Sequence, residues 1–222
     1  MGWFTRAINS SLGKKYLMAL TGIFLLIYLA IHLFGNSFLY VGKDAFNLYV
    51  ETLTESAFHY VILVIEIVLF LGIILHMYEG IRLTLGNFVA RPVRYAVKPA
   101  QPQSELSSRT MWISASIIFI FLVIHLRQFW YVYKFGEPQA GVTMYDMVTA
   151  VFRDPVYSLI YLACMLLLGF HLWHGFQSSF QSLGLNHKKY TPLIKFLGRL
   201  YAVVVSLGFA SFPVYFYFMG GK

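Results

Sequence analysis

The sequence contains seven histidines, and six of them lie within or at the ends of long apolar segments. A buried imidazole is costly without a partner. Such a side chain can hydrogen-bond between helices, relay protons or bind a metal through a ring nitrogen. One intramembrane histidine is often only a hydrogen-bonding residue, but here four successive apolar segments each contain one, which favours a function. The six residues are His32, His59, His76, His125, His171 and His174, whereas His187 lies in a basic loop.

Five apolar segments must position these side chains, and each is long enough to cross a membrane. The chain of 222 residues is 59% hydrophobic and 12% charged, with a mean hydropathy of +0.66. A hydrocarbon core of ~30 Å needs roughly 20 helical residues, and only helices or closed barrels satisfy the backbone in lipid. We therefore predict an all-α, multi-pass membrane protein of one domain (residues 1–222), with the first four helices forming a bundle. The predicted spans are 17–39, 59–83, 111–135, 155–182 and 192–218.

The basic residues are unequally divided between the two sides of this predicted membrane protein. Of the 17 Lys and Arg residues, 12 lie before the first span, in the connections after the second and fourth spans, or in the adjoining turns of the second and fifth spans. The positive-inside rule therefore places the N-terminus in the cytoplasm. The same distribution accounts for the net charge of +8 without nucleic acid. The single cysteine, Cys164, leaves no disulfide framework, and we expect the first span to be retained because no signal-cleavage site follows it.

The connections between the spans differ in character. Residues 86–110 are basic and contain three prolines, which predicts an irregular segment. The connections on the other side, residues 42–58 and 141–155, have helix-like apolar spacing, and we expect a short surface helix in each. The second of these begins with Thr143 and has Asp146 three residues later, which resembles a capping box with Asp in place of the usual Glu.

The depth of each histidine, at a rise of about 1.5 Å per residue, groups four of them into two pairs. His32 and His125 lie ~22 Å and ~21 Å from the cytoplasmic ends of their predicted helices, and His76 and His171 lie ~10 Å and ~16 Å from theirs. The two levels differ by ~10 Å along the helices. Paired imidazoles from facing helices are how a four-helix bundle holds a bis-histidine haem. Because there is no C-x-x-C-H motif, two such haems would be non-covalent haem b.

Small residues beside the histidines favour a flat ligand. Glycines lie three or four residues from three of the four histidines, on the same helical faces; they are Gly35, Gly72, Gly80 and Gly175. His125 has Phe121 and Phe129 at the corresponding positions. A zinc or di-iron site fits less well, because no cysteines or carboxylates converge with the histidines in the predicted spans.

The sequence resembles a known family along nearly its whole length. The resemblance rests on "SSLGKKYLMALTG" leading into "IHLFGN", then "ILHMYEG", "RPVRY", "SRTM", "FLVIHL" and "GFHLWHGFQSSFQSLG". A histidine in each of the first four helices, followed by a histidine-free fifth, completes the pattern. These features are similar to the dihaem cytochrome b subunit of bacterial succinate:quinone and quinol:fumarate oxidoreductases, the respiratory complex II family, in the form with one five-helix anchor chain.

The resemblance implies the membrane anchor and electron-transfer subunit of a succinate dehydrogenase or fumarate reductase complex. It assigns His32 and His125 to the distal haem iron and His76 and His171 to the proximal one, the same pairs that the depths give. A flavoprotein subunit and an iron–sulfur subunit would bind on the cytoplasmic side of a bacterial cytoplasmic membrane. A quinone, usually menaquinone, would react at the distal haem. The chain has no dicarboxylate site, flavin motif or cysteine-rich cluster motif of its own.

Depth alone does not choose between His171 and His174. His171 stands four residues before Gly175, as His76 stands four before Gly80, and the family that the sequence resembles has its ligand at this position. An offset of three residues turns His174 ~60° away from that helical face. We therefore assign His171 as the iron ligand and expect His174 to contact a propionate or another helix.

Glu66 and His59 indicate a quinone contact or a proton route beside the distal haem. Glu66 lies ~15 Å outward of His76, and His59 lies seven residues earlier on the same helical face. The alternative is a protonated Glu66 bonded to a neighbouring helix, with His59 an interfacial residue. In the fumarate-reducing branch of the family a glutamate two residues before the fourth-helix ligand returns protons. Here that position is Gly169, which favours succinate oxidation.

Cations near the ends of the spans are candidates to neutralise haem propionates. Lys15, Arg82 and Arg109 are the candidates for the inner haem, and Arg127 is the candidate for the outer one. All four also satisfy the positive-inside distribution or lie at a helix end. Glu79 stands three residues before Arg82, which predicts a surface ion pair between them.

Two other functions remain open from the sequence. A cytochrome b anchor of a hydrogenase or a formate dehydrogenase would also carry histidines in membrane helices, although the motifs match that class less well. A small transporter whose histidines relay protons would bind no haem. A spectrum separates the transporter from the other two, and the identity of the associated subunits separates the two cytochromes.

Overall fold

The computed structural model describes residues 2–90, 110–136 and 141–219. Within these residues the chain is all-helical and has no strand. Five helical stretches are long and apolar enough to cross a membrane, which confirms the predicted fold class. The helices are α1 Trp3–Asn9, α2 Ser11–Val41, α3 Lys43–Thr54, α4 His59–Val89, α5 Met111–His125, a π-helical turn Leu126–Tyr131, α6 Val132–Phe135, α7 Met144–Arg153, α8 Pro155–Ser182 and α9 Thr191–Met219.

The helix bounds agree with the predicted third and fourth spans and extend the other three, the fifth by one residue at each end. The third span, Met111–Phe135, and α8, Pro155–Ser182, begin and end at the predicted residues. α2 begins at Ser11, because the Ser10 hydroxyl caps it by accepting from the Gly13 amide at 3.0 Å. α4 continues to Val89, so the connection predicted as irregular from residue 86 begins as helix. The rest of that connection, residues 91–109, lies outside the described residues.

Short helices occupy both connections on the opposite side, as predicted. α7 begins with a capping box, in which the Thr143 hydroxyl accepts from the Asp146 amide and the Asp146 carboxylate accepts from the Thr143 amide at 2.9 Å. Lys43, the first residue of α3, donates to both carboxylate oxygens of Asp146 at 2.9 and 2.7 Å. These bonds from Lys43 and Thr143 lower the pKa of Asp146 from its ordinary value of 3.8 to about 2. The two surface helices are thereby joined at their first turns.

α8 is the centre of the bundle. It packs against α9, α2 and α5, and α2 packs in turn against α4. The resulting order of neighbours is α4, α2, α8 and α5. The pairs α2 with α5 and α4 with α8 are not among the closely packed helices in the described part of the chain. α2 and α5, like α4 and α8, therefore lie across the bundle from each other.

The apolar core is concentrated around α8 and α9. One cluster of buried residues lies midway along α2, α8 and α9, and a second joins the surface helices to the ends of α8 and α9. α4 contributes little to this core, because Glu79 is its only fully buried residue. Apolar side chains that face lipid need no protein partner, so an exposed apolar α4 fits a membrane environment. Burial inside the protein therefore fixes few of the side chains of α4.

Candidate haem-binding site

The structure brings His32 of α2 together with His125 at the end of α5. Their ring centres are 5.9 Å apart, although their helices are not closely packed neighbours. Tyr28 stacks on His32 with ring centres 5.5 Å apart, and Phe209 of α9 lies 5.5 Å from the same ring. Phe121 and Phe129 lie 5.8 and 5.3 Å from His125. The two imidazoles therefore meet in an aromatic environment across the bundle.

His76 of α4 and His171 of α8 form a second pair of the same kind. Their ring centres are 6.5 Å apart, and α4 and α8 are also not closely packed neighbours in the described chain. Each of the four histidines thus comes from a different span. The pairing that depth indicated from the sequence is the pairing that the side chains adopt.

The spacing within both pairs fits two imidazoles on opposite sides of one metal ion. A ring nitrogen binds a transition metal at about 2.0 Å, and the ring centre lies roughly 1.2 Å behind it, so two opposed rings have centres about 6.4 Å apart. The observed values of 5.9 and 6.5 Å lie on either side of this figure. No group of three or more His, Cys, Asp or Glu side chains that could hold a metal ion occurs in the described residues.

The two pairs lie at different levels of the bundle. The Thr21 hydroxyl is 3.1 Å from His76 Nδ1, and a Cβ on Gly22 would lie 3.5 Å from the same ring. His76 is therefore level with residues 21–22 of α2, about 15 Å along that helix from His32. This separation exceeds the predicted ~10 Å. The predicted depths were counted from the cytoplasmic ends of the predicted spans. Since α2 and α4 both extend beyond those ends, the ends do not lie at one common level, and the predicted separation of the two pairs was too small.

The hydrogen bonds of the four imidazoles are not alike. His76 Nδ1 contacts Thr21, and His125 Nδ1 lies 3.3 Å from the Tyr161 hydroxyl. The Asn36 side-chain amide nitrogen lies 3.4 Å from both ring nitrogens of His32. His171 Nδ1 is buried and has no hydrogen-bond partner among the described residues. A buried polar atom left without a partner lowers the stability of the fold by about 1–3 kcal/mol. The surroundings of the His171 ring are therefore those expected of a site that a ligand completes.

The glycines beside the histidines do not all provide space for a ligand, and this corrects the prediction. The space beside Gly35 holds the Tyr49 phenol, and the space beside Gly72 holds the Phe24 ring at 2.9 Å. A Cβ on Gly80 would make an ordinary contact with Met18 at 3.6 Å. Only the position beside Gly175, four residues after His171, has no atom within 4 Å among the glycines named for this role. Two of the four glycines therefore serve close packing of side chains.

The candidate propionate cations have different surroundings. Arg82 donates to Glu79 at 2.7 Å and to Asn9 of α1 at 2.8 Å. The predicted ion pair therefore exists, but Glu79 is only 1% exposed, so the expectation of a surface pair was wrong. Lys15 is exposed in the second turn of α2. Arg127 is exposed and lies over the Tyr131 ring at 5.6 Å, and Arg109 lies outside the described residues.

Glu66 and His59 are not brought into contact with each other. Glu66 forms an ion pair with Lys134 of α6, and Lys134 also lies over the Trp130 ring at 5.7 Å. His59 Nδ1 bonds to the Thr54 carbonyl at 2.7 Å, where α3 leads into α4. Glu66 thus joins the second span to the third. The alternative interpretation predicted a bond from Glu66 to a neighbouring helix, but from a protonated carboxyl group rather than in an ion pair. The quinone or proton role of these two residues stays a prediction.

His174 is half-buried beside the expected ligand on α8, and its predicted propionate contact stays a prediction.

Some other residues around the histidines were not identified from the sequence. Thr21, Tyr161 and Gln128 had not been singled out, although each is a polar residue within an apolar span. The π-helical turn that begins directly after His125 also has no signal in apolar spacing. Polar residues in a membrane helix face the bundle interior, which is the signal that could have identified them.

Comparisons of the chain with protein-family models, with curated proteins and with solved structures found no match.

Proposed function

We propose that this chain is the membrane-anchor and electron-transfer subunit of a succinate:quinone oxidoreductase and binds two b-type haems. The His32–His125 pair would hold one iron and the His76–His171 pair the other. In this proposal the N-terminus is cytoplasmic, the His76–His171 pair is nearer the iron–sulfur subunit, and the His32–His125 pair is nearer the quinone, usually menaquinone in this family. The chain contributes no dicarboxylate chemistry of its own.

The observation that carries the haem assignment is the repeated geometry of the two histidine pairs. Each pair joins two spans that are not close neighbours, and each has ring centres near the spacing of two axial ligands. An accidental pairing of four intramembrane imidazoles at two levels has no evident structural purpose, because every one of them is costly to desolvate. Bound haem b would accept and release single electrons at each level.

The residues of the chain would supply two things to such a group. His32 and His125 would hold the iron at one level, and His76 and His171 would hold the iron at the other. Aromatic rings, including those of Tyr28 and Phe209, lie around the first pair and would limit the access of water to it. A low dielectric and the absence of water are among the factors that set the potential of a metal centre.

The identity of the partner subunits is supported by the sequence motifs. The resemblance to the dihaem anchor covers nearly the whole chain, from "SSLGKKYLMALTG" to "GFHLWHGFQSSFQSLG". The basic residues before α2 and between α8 and α9 lie on the side proposed to face the cytoplasm, where the iron–sulfur and flavoprotein subunits would bind. A hydrogenase or formate dehydrogenase anchor would share the haem geometry and differ in these partners.

Purification from the native membrane in a mild detergent tests this function. We expect an affinity-tagged chain to retain a flavoprotein and an iron–sulfur protein, and succinate to reduce haem in the complex. A matched preparation of the His32→Ala variant should retain succinate-dependent reduction of one haem only. Co-purification with a hydrogenase or formate dehydrogenase, or no haem reduction by succinate in an intact complex, would overturn the assignment of partners.

A further inference from the structure

The hydroxyl of Tyr161 has one proton, and its surroundings decide where that proton points. Tyr161 is 5% exposed, and its hydroxyl donates to the side-chain oxygen of Gln128 at 2.8 Å. The oxygen of the same hydroxyl is 3.3 Å from His125 Nδ1. Since the phenolic proton is engaged by Gln128, the Tyr161 oxygen is left to accept a proton from His125 Nδ1. Gln128 lies within the π-helical turn that directly follows His125.

Thr21 has the same arrangement beside His76. Its hydroxyl donates to the Leu17 carbonyl at 2.8 Å, within α2. The hydroxyl oxygen is 3.1 Å from His76 Nδ1. If Thr21 donated to the imidazole instead, the 2.8 Å contact with Leu17 would join two oxygens with no proton between them. The Thr21 oxygen therefore accepts from His76 Nδ1.

The other two imidazoles have no such acceptor among the described residues. The Asn36 amide nitrogen near His32 is a donor, and it donates to the His32 carbonyl at 2.8 Å. His171 Nδ1 is buried without a partner in the same part of the chain. Each pair thus contains one imidazole with a protein acceptor for its Nδ1 proton and one without.

We propose that Tyr161 and Thr21 are positioning residues that hold His125 and His76, respectively, in the tautomer that carries its proton on Nδ1. This tautomer leaves the Nε2 lone pair free for a metal. Donation of the Nδ1 proton to an oxygen also fixes the orientation of the ring and makes it a stronger electron donor. Gln128 acts through Tyr161, because it engages the phenolic proton. The inference rests on the proposed haem function and adds one positioning residue for each haem.

The experiment measures the reduction potential of each haem in the purified complex for Tyr161→Phe and Thr21→Val. Tyr161→Phe removes only the hydroxyl, and Thr21→Val keeps the shape of the side chain. Loss of the Nδ1 acceptor weakens the imidazole as a donor and disfavours the oxidised iron, so the potential should rise. We expect the reduction equilibrium of one haem to change three- to tenfold, where tenfold corresponds to 59 mV for one electron.

The two variants are matched controls for each other. Tyr161→Phe should shift only the haem that His125→Ala removes, and Thr21→Val only the haem that His76→Ala removes. Low-temperature EPR should show changed g-values for the same haem, because the ring is freed to rotate. Unchanged potentials with both haems bound, or equal shifts of both haems in either variant, would overturn the proposal.

Gln128→Leu supplies a second measurement if Tyr161→Phe does not fold. We expect it to shift the same haem, because the phenolic proton is no longer held by Gln128 and can rotate towards His125, which weakens acceptance of the Nδ1 proton by the Tyr161 oxygen. Where both single variants fold, the Tyr161→Phe/Gln128→Leu double variant should shift no further than Tyr161→Phe alone. A Gln128→Leu protein with two haems at their original potentials would contradict the proposal that Gln128 acts on His125 through Tyr161. A wild-type chain without haem would instead refute the proposed function.

Discussion

The ring centre of His32 lies 5.9 Å from that of His125, although the helices that carry them are not close neighbours in the described bundle. His76 and His171 repeat this relationship at 6.5 Å between a different pair of spans. In each case side chains rather than backbones approach across the bundle. A ligand bound between the rings would therefore join spans that otherwise have little direct packing.

Alanine variants of the four histidines should separate the haems into two groups. His32→Ala and His125→Ala should each remove the same b-type signal, and His76→Ala and His171→Ala should each remove the other, since each variant would lose one of the two imidazoles that would hold that haem. Redox-resolved spectra of the purified variants provide the measurement. His187→Ala is the control, because this exposed histidine lies in the loop before α9 and should leave both signals. Loss of one and the same haem in all four variants would refute the pairing.

Gly35→Ala should destabilise the chain and leave both haems bound. The added methyl group would collide with the Tyr49 phenol, which occupies the space beside Gly35, and overpacking of this kind costs about 1–3 kcal/mol. Thermal unfolding in detergent measures the loss. Gly175→Leu is the comparison, because the open space beside Gly175 is next to His171. We expect it to lower occupancy of the haem that His171→Ala removes; haem loss in Gly35→Ala with full occupancy in Gly175→Leu would contradict this assignment.

Glu66 and Lys134 should be coupled in a double-mutant cycle. Their side chains are 27% and 33% exposed, so we expect Glu66→Gln and Lys134→Met together to cost less than the sum of the two single variants by about 1 kcal/mol. Chemical unfolding of the purified chain measures this coupling. A coupling of zero would mean that the pair does not stabilise the contact between the second and third spans.

The same two variants test the predicted quinone or proton role of Glu66. If Glu66 serves only to join the spans, both variants should have the same turnover with quinone. If it carries protons or contacts quinone, Glu66→Gln should lower turnover and Lys134→Met should lower it less. Both roles are open from the sequence, and equal turnover in the two variants would exclude the quinone or proton role.

Asp146 should make the chain less stable as the pH falls below 4. Its pKa is lowered from 3.8 to about 2 by hydrogen bonds from Lys43 and Thr143. A lowered pKa in the folded state gives stability that is fully present above the unfolded value and is lost as the pH falls through the folded value. Unfolding should therefore become easier between about pH 4 and pH 2. Asp146→Asn should flatten this dependence, whereas Asp44→Asn, a change at an exposed carboxylate in the first turn of α3, should not.

The fold was accessible from the sequence because membrane helices are determined by length and hydrophobicity. The third and fourth spans were predicted to the residue, and the capping box at Thr143 identified the start of α7. The bounds that were missed depend on polar or amphipathic turns outside the hydrocarbon core. α2 extends to its cap at Ser10, and α4 continues to Val89 before the prolines that begin at Pro92.

The pairing of the histidines was also accessible, because a constant helical rise converts position into depth. What surrounds them was less accessible, since it depends on which face of each helix meets which neighbour. The aromatic rings of Tyr49 and Phe24 fill the spaces beside Gly35 and Gly72, and no residue spacing reveals a side chain from another helix. Glu79 was expected in a surface ion pair because it stands three residues before Arg82 near the inner end of its span, but the bond with Arg82 allows its burial.

Counting the haems in the wild-type chain tests the central claim most directly. The chain, purified in its complex from the native membrane, is reduced with dithionite, and the reduced-minus-oxidised spectrum is combined with a pyridine haemochrome assay and a protein determination. We predict two b-type haems per chain, with potentials that resolve into two steps. A chain without a b-type band, or with one haem per chain, would contradict the assignment of the His32–His125 and His76–His171 pairs.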